Sequence, residues 1–302
     1  MAFQKKEKIK KKNKHPTILK IPDVFWDKIK SIFPKEKPLR TVGRPIVPYR
    51  KVIDGILYVL RTVGCQWKIL PKEYGSGSTC HRRFQKWNSL DIFKKGWIKI
   101  LKIYDDYIGI NCTWQSIDSI SIKSPLDGVM TCSNPTDKSK LGTKRHILTD
   151  KNGIPLSVVI SSASTHDIKL VIDVVDNSVI KRRRQRQLPS HKPKLETRRR
   201  LQHLCLDKAY NSKSEEQELI KRGYVLHIPY KKKNGDEVDE ENTKGMPNRK
   251  KHSPKRWVVE RTNSWHNRFR KLFTRYEKKV ENYLGLVQFS CCIIIYRKII
   301  LG

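Results

Sequence analysis

Ser116-Ile117-Asp118-Ser119-Ile120-Ser121-Ile122-Lys123 is the stretch on which the fold turns. Apolar and polar residues largely alternate along it, the period of a half-buried β-strand, so residues 114–123 are expected to form one. Ile117, Ile120 and Ile122 are β-branched, which suits a strand. An Asp inside such a run costs free energy unless something binds its carboxylate. His203-Leu204-Cys205-Leu206-Asp207-Lys208-Ala209-Tyr210 repeats the arrangement: a short apolar strand that delivers an acid. A third acid, Glu260, stands in Arg256-Trp257-Val258-Val259-Glu260-Arg261, which reads as the early part of a helix. Two strand-borne Asp residues and a helix-borne Glu in a basic chain point to metal-dependent chemistry on nucleic acid.

The charge supports that direction. Across 302 residues, 65 Lys+Arg stand against 29 Asp+Glu, a net charge of +36. That is far more than solubility requires, and the usual partner of such a surface is a phosphate backbone. Seven cysteines with no C-x-x-C spacing argue against a disulfide frame or a zinc ribbon and for a reducing compartment. The Lys-rich start lacks the apolar segment of a signal peptide. The longest apolar run, from Phe289 to Tyr296, is far short of the roughly 20 residues that span a bilayer. A soluble, cytoplasmic protein without a membrane partner is expected.

Residues 1–21 read as a disordered basic arm. Residues 22–110 read as an all-α domain. Helices are expected at 23–33, stopped by Pro34; from Pro48 through Val63, closed by Gly64; after a Gly75-Ser76-Gly77-Ser78-Thr79 loop; and from Asp91, with Phe93, Trp97, Leu101 and Tyr104 on one face. The helix that begins near His81, Arg82 and Arg83 follows a Gly/Ser turn, so the pair resembles a helix-turn-helix with those three side chains toward DNA. From residue 111 to 302 the periodicity changes. Strands at 144–149 and 155–160 flank Asp150-Lys151-Asn152-Gly153, a hairpin signal. Thr165-His166-Asp167 reads as a cap on a short helix. Two insertions are expected: 181–202, with ten Lys/Arg against the one acid Glu196, and polar 231–252, whose acids 236–241 read as a solvated loop. The order β-β-β-α-β-α-β-α implies a five-stranded mixed sheet flanked by helices. Its first three strands form an antiparallel meander, and the fourth returns through a crossover to lie parallel to the first. That topology places Asp118 and Asp207 on neighbouring strands.

Carboxylates on adjacent strands can share hard divalent cations, and Mg²⁺ (or Mn²⁺) suits phosphodiester displacement. Each acid also has a plainer reading: Asp118 as an edge-strand surface residue, Asp207 as a turn cap, and Glu260 as the partner of Arg256 or Arg261. A helical wheel drawn from residue 256 puts Val258, Trp265, Phe269 and Leu272 on the apolar stripe. Glu260 then lies on the polar side with Arg256, Asn263, Asn267 and Lys271, four candidates for DNA phosphates.

The chain resembles bacterial insertion-sequence transposases of the DDE type, in particular the insertion-sequence-five family. The resemblance runs from about Gly43 to the end. It is carried by Asp54-Gly55-Ile56-Leu57-Tyr58 with Cys65-Gln66-Trp67, by Gln115-Ser116-Ile117-Asp118-Ser119, by Gly142-Thr143-Lys144-Arg145-His146, and by His166-Asp167. Leu206-Asp207-Lys208-Ala209-Tyr210 and Arg256-Trp257-Val258-Val259-Glu260-Arg261-Thr262 complete it. The resemblance implies a ribonuclease H-like fold with Asp118, Asp207 and Glu260 as catalytic metal ligands. It also implies Mg²⁺-dependent cleavage at the element's ends, followed by attack of the freed 3′-hydroxyl on target DNA. Lys144, Arg145, Lys208 and Arg261 lie in its motifs and join the DNA-contact candidates. Of a Tyr-Arg-Glu-Lys signature seen in relatives, Arg256 and Glu260 match, while Ser253 and Asn267 stand at the other two positions. The expected partners are double-stranded DNA and, on DNA, a second copy of the chain. Two other readings fit the same residues: a ribonuclease H-like nuclease that does not join strands, and a catalytically silent DNA-binding repressor.

Overall fold

The computed structural model describes residues 18–36, 38, 45–62, 66–135, 137–180, 202–229 and 256–301. The polar insertion, all of the basic one but Gln202, and most of the N-terminal arm therefore lie outside the described residues; Gln202 instead opens a strand. The described end of the arm departs from expectation. Ile21 is buried, and its backbone N–H donates to Asp54 Oδ1 at 2.6 Å.

The sheet has β1 (Trp114–Lys123), β2 (Cys132–Ser133), β3 (Leu141–Thr149), β4 (Pro155–Ser162), β5 (Gln202–Cys205) and β6 (Tyr224–His227). Among the described residues the sheet has six strands where five were expected; the addition is two-residue β2, too short to show a period. The sheet order is β2-β3-β1-β5-β6, and β4 pairs with β3 on the same side as β2. β1, β3 and β4 form the expected antiparallel meander, while β5 and β6 run parallel to β1. The hairpin between β3 and β4 turns at Gly153, whose φ of +83° only glycine adopts without strain. Asp150 Oδ1 accepts the N–H groups of Asn152 and Ile154 there, both at 2.8 Å.

The helices are α1 (Asp23–Ile29), α2 (Tyr49–Arg61), α3 (Gly77–Ser89), α4 (Ile92–Tyr107), α5 (Val171–Asp176), α6 (Lys213–Lys221), α7 (Trp257–Asn267), α8 (Arg270–Phe273) and α9 (Val280–Leu301). Residues paired in register share a face of a sheet. Asp118 pairs with Ile147, and Ile120 with Arg145, whose guanidinium reaches Asn267 on α7. α7 and α9 therefore cover the Asp118 face, and α5 packs on the other.

α9 is the centre of the core. By length and composition it would cross a membrane, yet it is buried on nearly every side by protein. α4 lies along it, Phe25 of α1 meets Tyr296 edge-on at 4.7 Å, and Trp97 Nε1 donates to Pro155 O at 3.2 Å. The N-terminal helices and the sheet thus share one continuous apolar core. Close approach is enforced at Gly285, where a Cβ would sit 2.2 Å from Asn88 Oδ1.

The link between α2 and α3 differs from a short turn. It spans residues 62–76 and includes 3₁₀ turns at Trp67–Ile69 and Lys72–Tyr74, where a helix-turn-helix uses three or four residues. α3 also starts at Gly77, before the expected site, because Ser76 Oγ accepts the Thr79 N–H at 3.2 Å.

Candidate active site

β1 and β5 are parallel and in register through Ser116 and Cys205. Each chain then runs two residues further, to Asp118 and to Asp207. Equal steps from a paired position put both carboxylates on one face, Asp118 midway along β1 and Asp207 just past the end of β5. β1 is an inner strand, between β3 and β5, so Asp118 is not an edge-strand surface acid. Asp207 does cap the 3₁₀ turn Lys208–Tyr210, accepting the Lys208 N–H at 2.7 Å. Its turn-capping and its place beside Asp118 are compatible, because a carboxylate accepts more than one hydrogen bond.

Glu260 comes from the first turn of α7, which packs across β1 and β3. Arg256 opens the same helix and ties the acids together. It meets Asp207 Oδ1 at 2.7 Å through Nη1 and Glu260 Oε1 at 2.8 Å through Nη2. Burial would lower the Arg256 pKa; Asp207, Glu260 and Asp118 outweigh that and raise it. Burial dominates at Asp118 and pushes its carboxyl from 3.8 up to about 6. The Ser119 N–H and Arg256 oppose the rise, and Glu260 and Asp207 add to it.

This shift has a sign that can be tested without any reaction. The folded state holds the Asp118 proton more tightly than the unfolded chain. Its contribution is therefore fully present below pH 3.8 and is lost as pH rises through about 6. In a metal-free buffer at pH 7, Asp118→Asn is expected to be about 1–2 kcal/mol more stable than the parent, after discount for partial exposure. Denaturant titration should show that gain disappearing at pH 4; a destabilised Asn variant at pH 7 would refute the burial argument.

The comparisons with known proteins bear on this arrangement. The model of the family described as transposase DDE domain matches residues 116–295, a span that holds all three acids. A second family model, putative transposase of IS4/5 family, matches residues 21–97. This chain belongs to the DDE transposases. It is 28% identical over 166 residues to a putative transposase for insertion sequence element IS402 of Burkholderia cepacia, covering 55% of the chain and 68% of that relative. It is 34% identical over 108 residues to an IS402 uncharacterized 16.2 kDa protein of the same organism, covering 34% of the chain and 73% of that protein. No solved structure matches significantly.

Several cationic candidates of the transposase are not free for DNA. Arg145 is wholly buried and hydrogen-bonds Asn263 and Asn267 at 3.5 and 3.3 Å. Asn263 is itself buried, and so is Lys271, which faces Glu277 at 3.6 Å. The helical wheel erred because it assumed one straight helix. The chain breaks between Asn267 and Arg270, and α7 buries Val258, Val259, Thr262, Asn263 and His266. Arg261 lies between the rings of Trp257 and Trp265, 4.8 Å from each, and donates to Asn152 O at 2.7 Å. His81 stacks on Trp67, and Arg83 lies over the Tyr49 ring at 4.7 Å. Arg82 and Lys208 are exposed, and Arg256 is partly so.

Three residues beside the acids escaped sequence reasoning. Asp167 is not a helix cap: it accepts from Ser119 Oγ at 2.8 Å and pairs with Lys144 at 2.9 Å, beneath the strand that carries Asp118. Tyr210 is buried near Asp118, Asp167 and Asp207, and burial pushes its phenol up, so it stays protonated. Ser119, the neighbour of Asp118, and the Asp167 motif were visible in sequence; their contact was not.

The donor set for a metal is all oxygen, which fits a hard divalent cation. Among the described residues, though, no three Asp, Glu, His or Cys groups are gathered closely enough to hold a metal ion. The Arg256 guanidinium holds Asp207 and Glu260 instead.

Proposed function

We propose that the transposase cleaves the ends of its insertion sequence and joins the freed 3′-hydroxyls to target DNA, with Asp118, Asp207 and Glu260 as its catalytic acids. One observation carries this reading: Asp207 and Glu260, from distant segments, meet on the Arg256 guanidinium, and Asp118 on β1 lies close enough to feel all three charges. Asp118, Asp207 and Glu260 would hold Mg²⁺ or Mn²⁺. Bound there, such cations would supply Lewis-acid stabilisation of the phosphodiester and lower the cost of deprotonating the attacking oxygen. Arg256 keeps the acids from repelling one another, and in the DNA complex its fork exchanges a carboxylate for a phosphate. Exposed Lys208 and Arg82 contact the backbone, and the charge of +36 holds the duplex non-specifically.

Water attacks the phosphodiester at the element's end and leaves a 3′-hydroxyl. That hydroxyl then attacks a target phosphodiester and displaces the target's 3′-oxygen, so the second step conserves the number of phosphodiester bonds. Residues 22–110 serve end recognition, and two copies bring two ends together. The test is an assay with the DNA that flanks the gene, a plasmid target and Mg²⁺. Joined product is the expected result. Cleavage without joining would make the protein a nuclease, and binding without cleavage in Mg²⁺ or Mn²⁺ would make it a repressor.

A further inference from the structure

At the end of α7 remote from Glu260, three helices meet around a cavity of about 170 Å³. That is far more than the roughly 10–15 Å³ that one water requires. Arg61 enters from the last residue of α2, Arg268 from the residue after α7, and Arg297 and Lys298 from the last turns of α9. Trp265 and Phe269 form the aromatic part of its wall. Among the described residues, no carboxylate forms an ion pair with any of the four cations. Asp150 acts on Lys298 only at longer range. Arg61 Nε and Nη2 are buried and have no hydrogen-bond partner among the described residues. Buried guanidinium nitrogens left in that state are costly, and gathered like charges add to the cost. Burial first, then Arg297 and Arg268, lower the Arg61 pKa to about 10.

The two rings narrow the ligand. Arg61 lies over Phe269 at 4.2 Å, and Lys298 and Arg261 both lie over Trp265 at 4.8 Å. Cations already occupy these ring faces, so the rings do not offer a stacking platform for a base. They hold the charged heads around the cavity, where forked donors match an anion with several acceptor oxygens.

We propose that Arg61, Arg268, Arg297 and Lys298 form a phosphate-binding pocket separate from the three acids. The transposase reading bears only on the source of that phosphate: the DNA backbone or a free phosphate species.

The test uses the full chain without divalent metal, so strand cleavage plays no part and the two readings fail separately. Arg61→Gln with Arg297→Gln removes the deep cations, and exposed Arg268→Gln provides a variant with no core to disturb. Lys94→Gln, on the exposed side of α4, controls for simple loss of charge. Two quantities are read: the rise in thermal midpoint when inorganic phosphate replaces chloride at equal ionic strength, and the salt dependence of affinity for an arbitrary duplex. We expect phosphate to raise the parent's midpoint, and the pocket variants to lose that rise while Lys94→Gln keeps it. If the bound phosphate belongs to DNA, the slope of log affinity against log salt falls by about 0.9 more in the pocket variants than in the control. An unchanged slope with a lost phosphate response assigns the pocket to free phosphate. Pocket variants that match Lys94→Gln in both readouts overturn the proposal.

Discussion

Alanine at Asp118, Asp207 or Glu260, introduced one at a time, is expected to lower strand cleavage in Mg²⁺ by about a thousandfold or more. The magnitude follows from the chemistry assigned to the acids. Removing one oxygen donor from a set that stabilises developing phosphoryl charge forfeits several kcal/mol, and about 4 kcal/mol is three decades in rate. Unfolding would not explain the loss. The contacts of Arg256 to Asp207 and Glu260 are partly exposed ion pairs, of a kind worth no more than about 1 kcal/mol each. Asp118 carries the cost of burial, so its replacement relieves the fold. Duplex affinity at moderate salt should stay within a few-fold of the parent, because net charge becomes more positive in every variant. The readout is single-turnover cleavage of labelled end DNA beside a binding isotherm on the same samples. Cleavage retained by all three alanine variants would end the catalytic account.

The second large effect falls on stability. Arg275 is wholly buried, yet it makes no ion pair with a described carboxylate. Its guanidinium donates to Val129 O at 2.6 Å, Glu277 O at 2.9 Å, Lys278 O at 3.1 Å, Thr143 Oγ1 at 3.2 Å and Met130 O at 3.4 Å. Its backbone N–H reaches Lys123 O at 2.8 Å. One side chain thus joins the segment after β1, the strand β3 and the approach to α9. Arg275→Ala removes the donors and leaves the carbonyls buried without partners, at a cost of about 3–5 kcal/mol. Urea denaturation followed by far-ultraviolet circular dichroism measures it. A loss below about 1 kcal/mol would mean that water replaces the guanidinium at little cost. In sequence, Thr274-Arg275-Tyr276-Glu277 has the composition of a surface turn, and nothing local distinguishes this Arg from the basic residues around it.

Patterns shorter than a dozen residues were legible. β1 runs over 114–123 as its alternation predicts, because that period is a property of the strand alone. The pairing of β1 with β5 was also within reach. A crossover between parallel strands has one favoured hand, and this brings the Asp118 and Asp207 strands together without knowledge of any side-chain contact. Two-residue β2 and the long link between α2 and α3 were beyond such reasoning. One is too short to carry a period, and the other depends on how Trp67 packs against α3.

By itself, then, the chain determined its five longer strands, most of its helices and the sign of its field, and it offered three candidate acids. Tertiary structure alone decided where each charge resides. Arg145, Lys271 and Arg275 are buried, Lys208 remains exposed, and Arg256 stands between two acids. It also decided which face α7 buries, with Val258, Val259, Thr262, Asn263 and His266 inside and Glu260 left exposed beside Arg256. The reason is physical. Periodicity and charge belong to neighbours along the chain, whereas burial and ion pairing belong to neighbours in space.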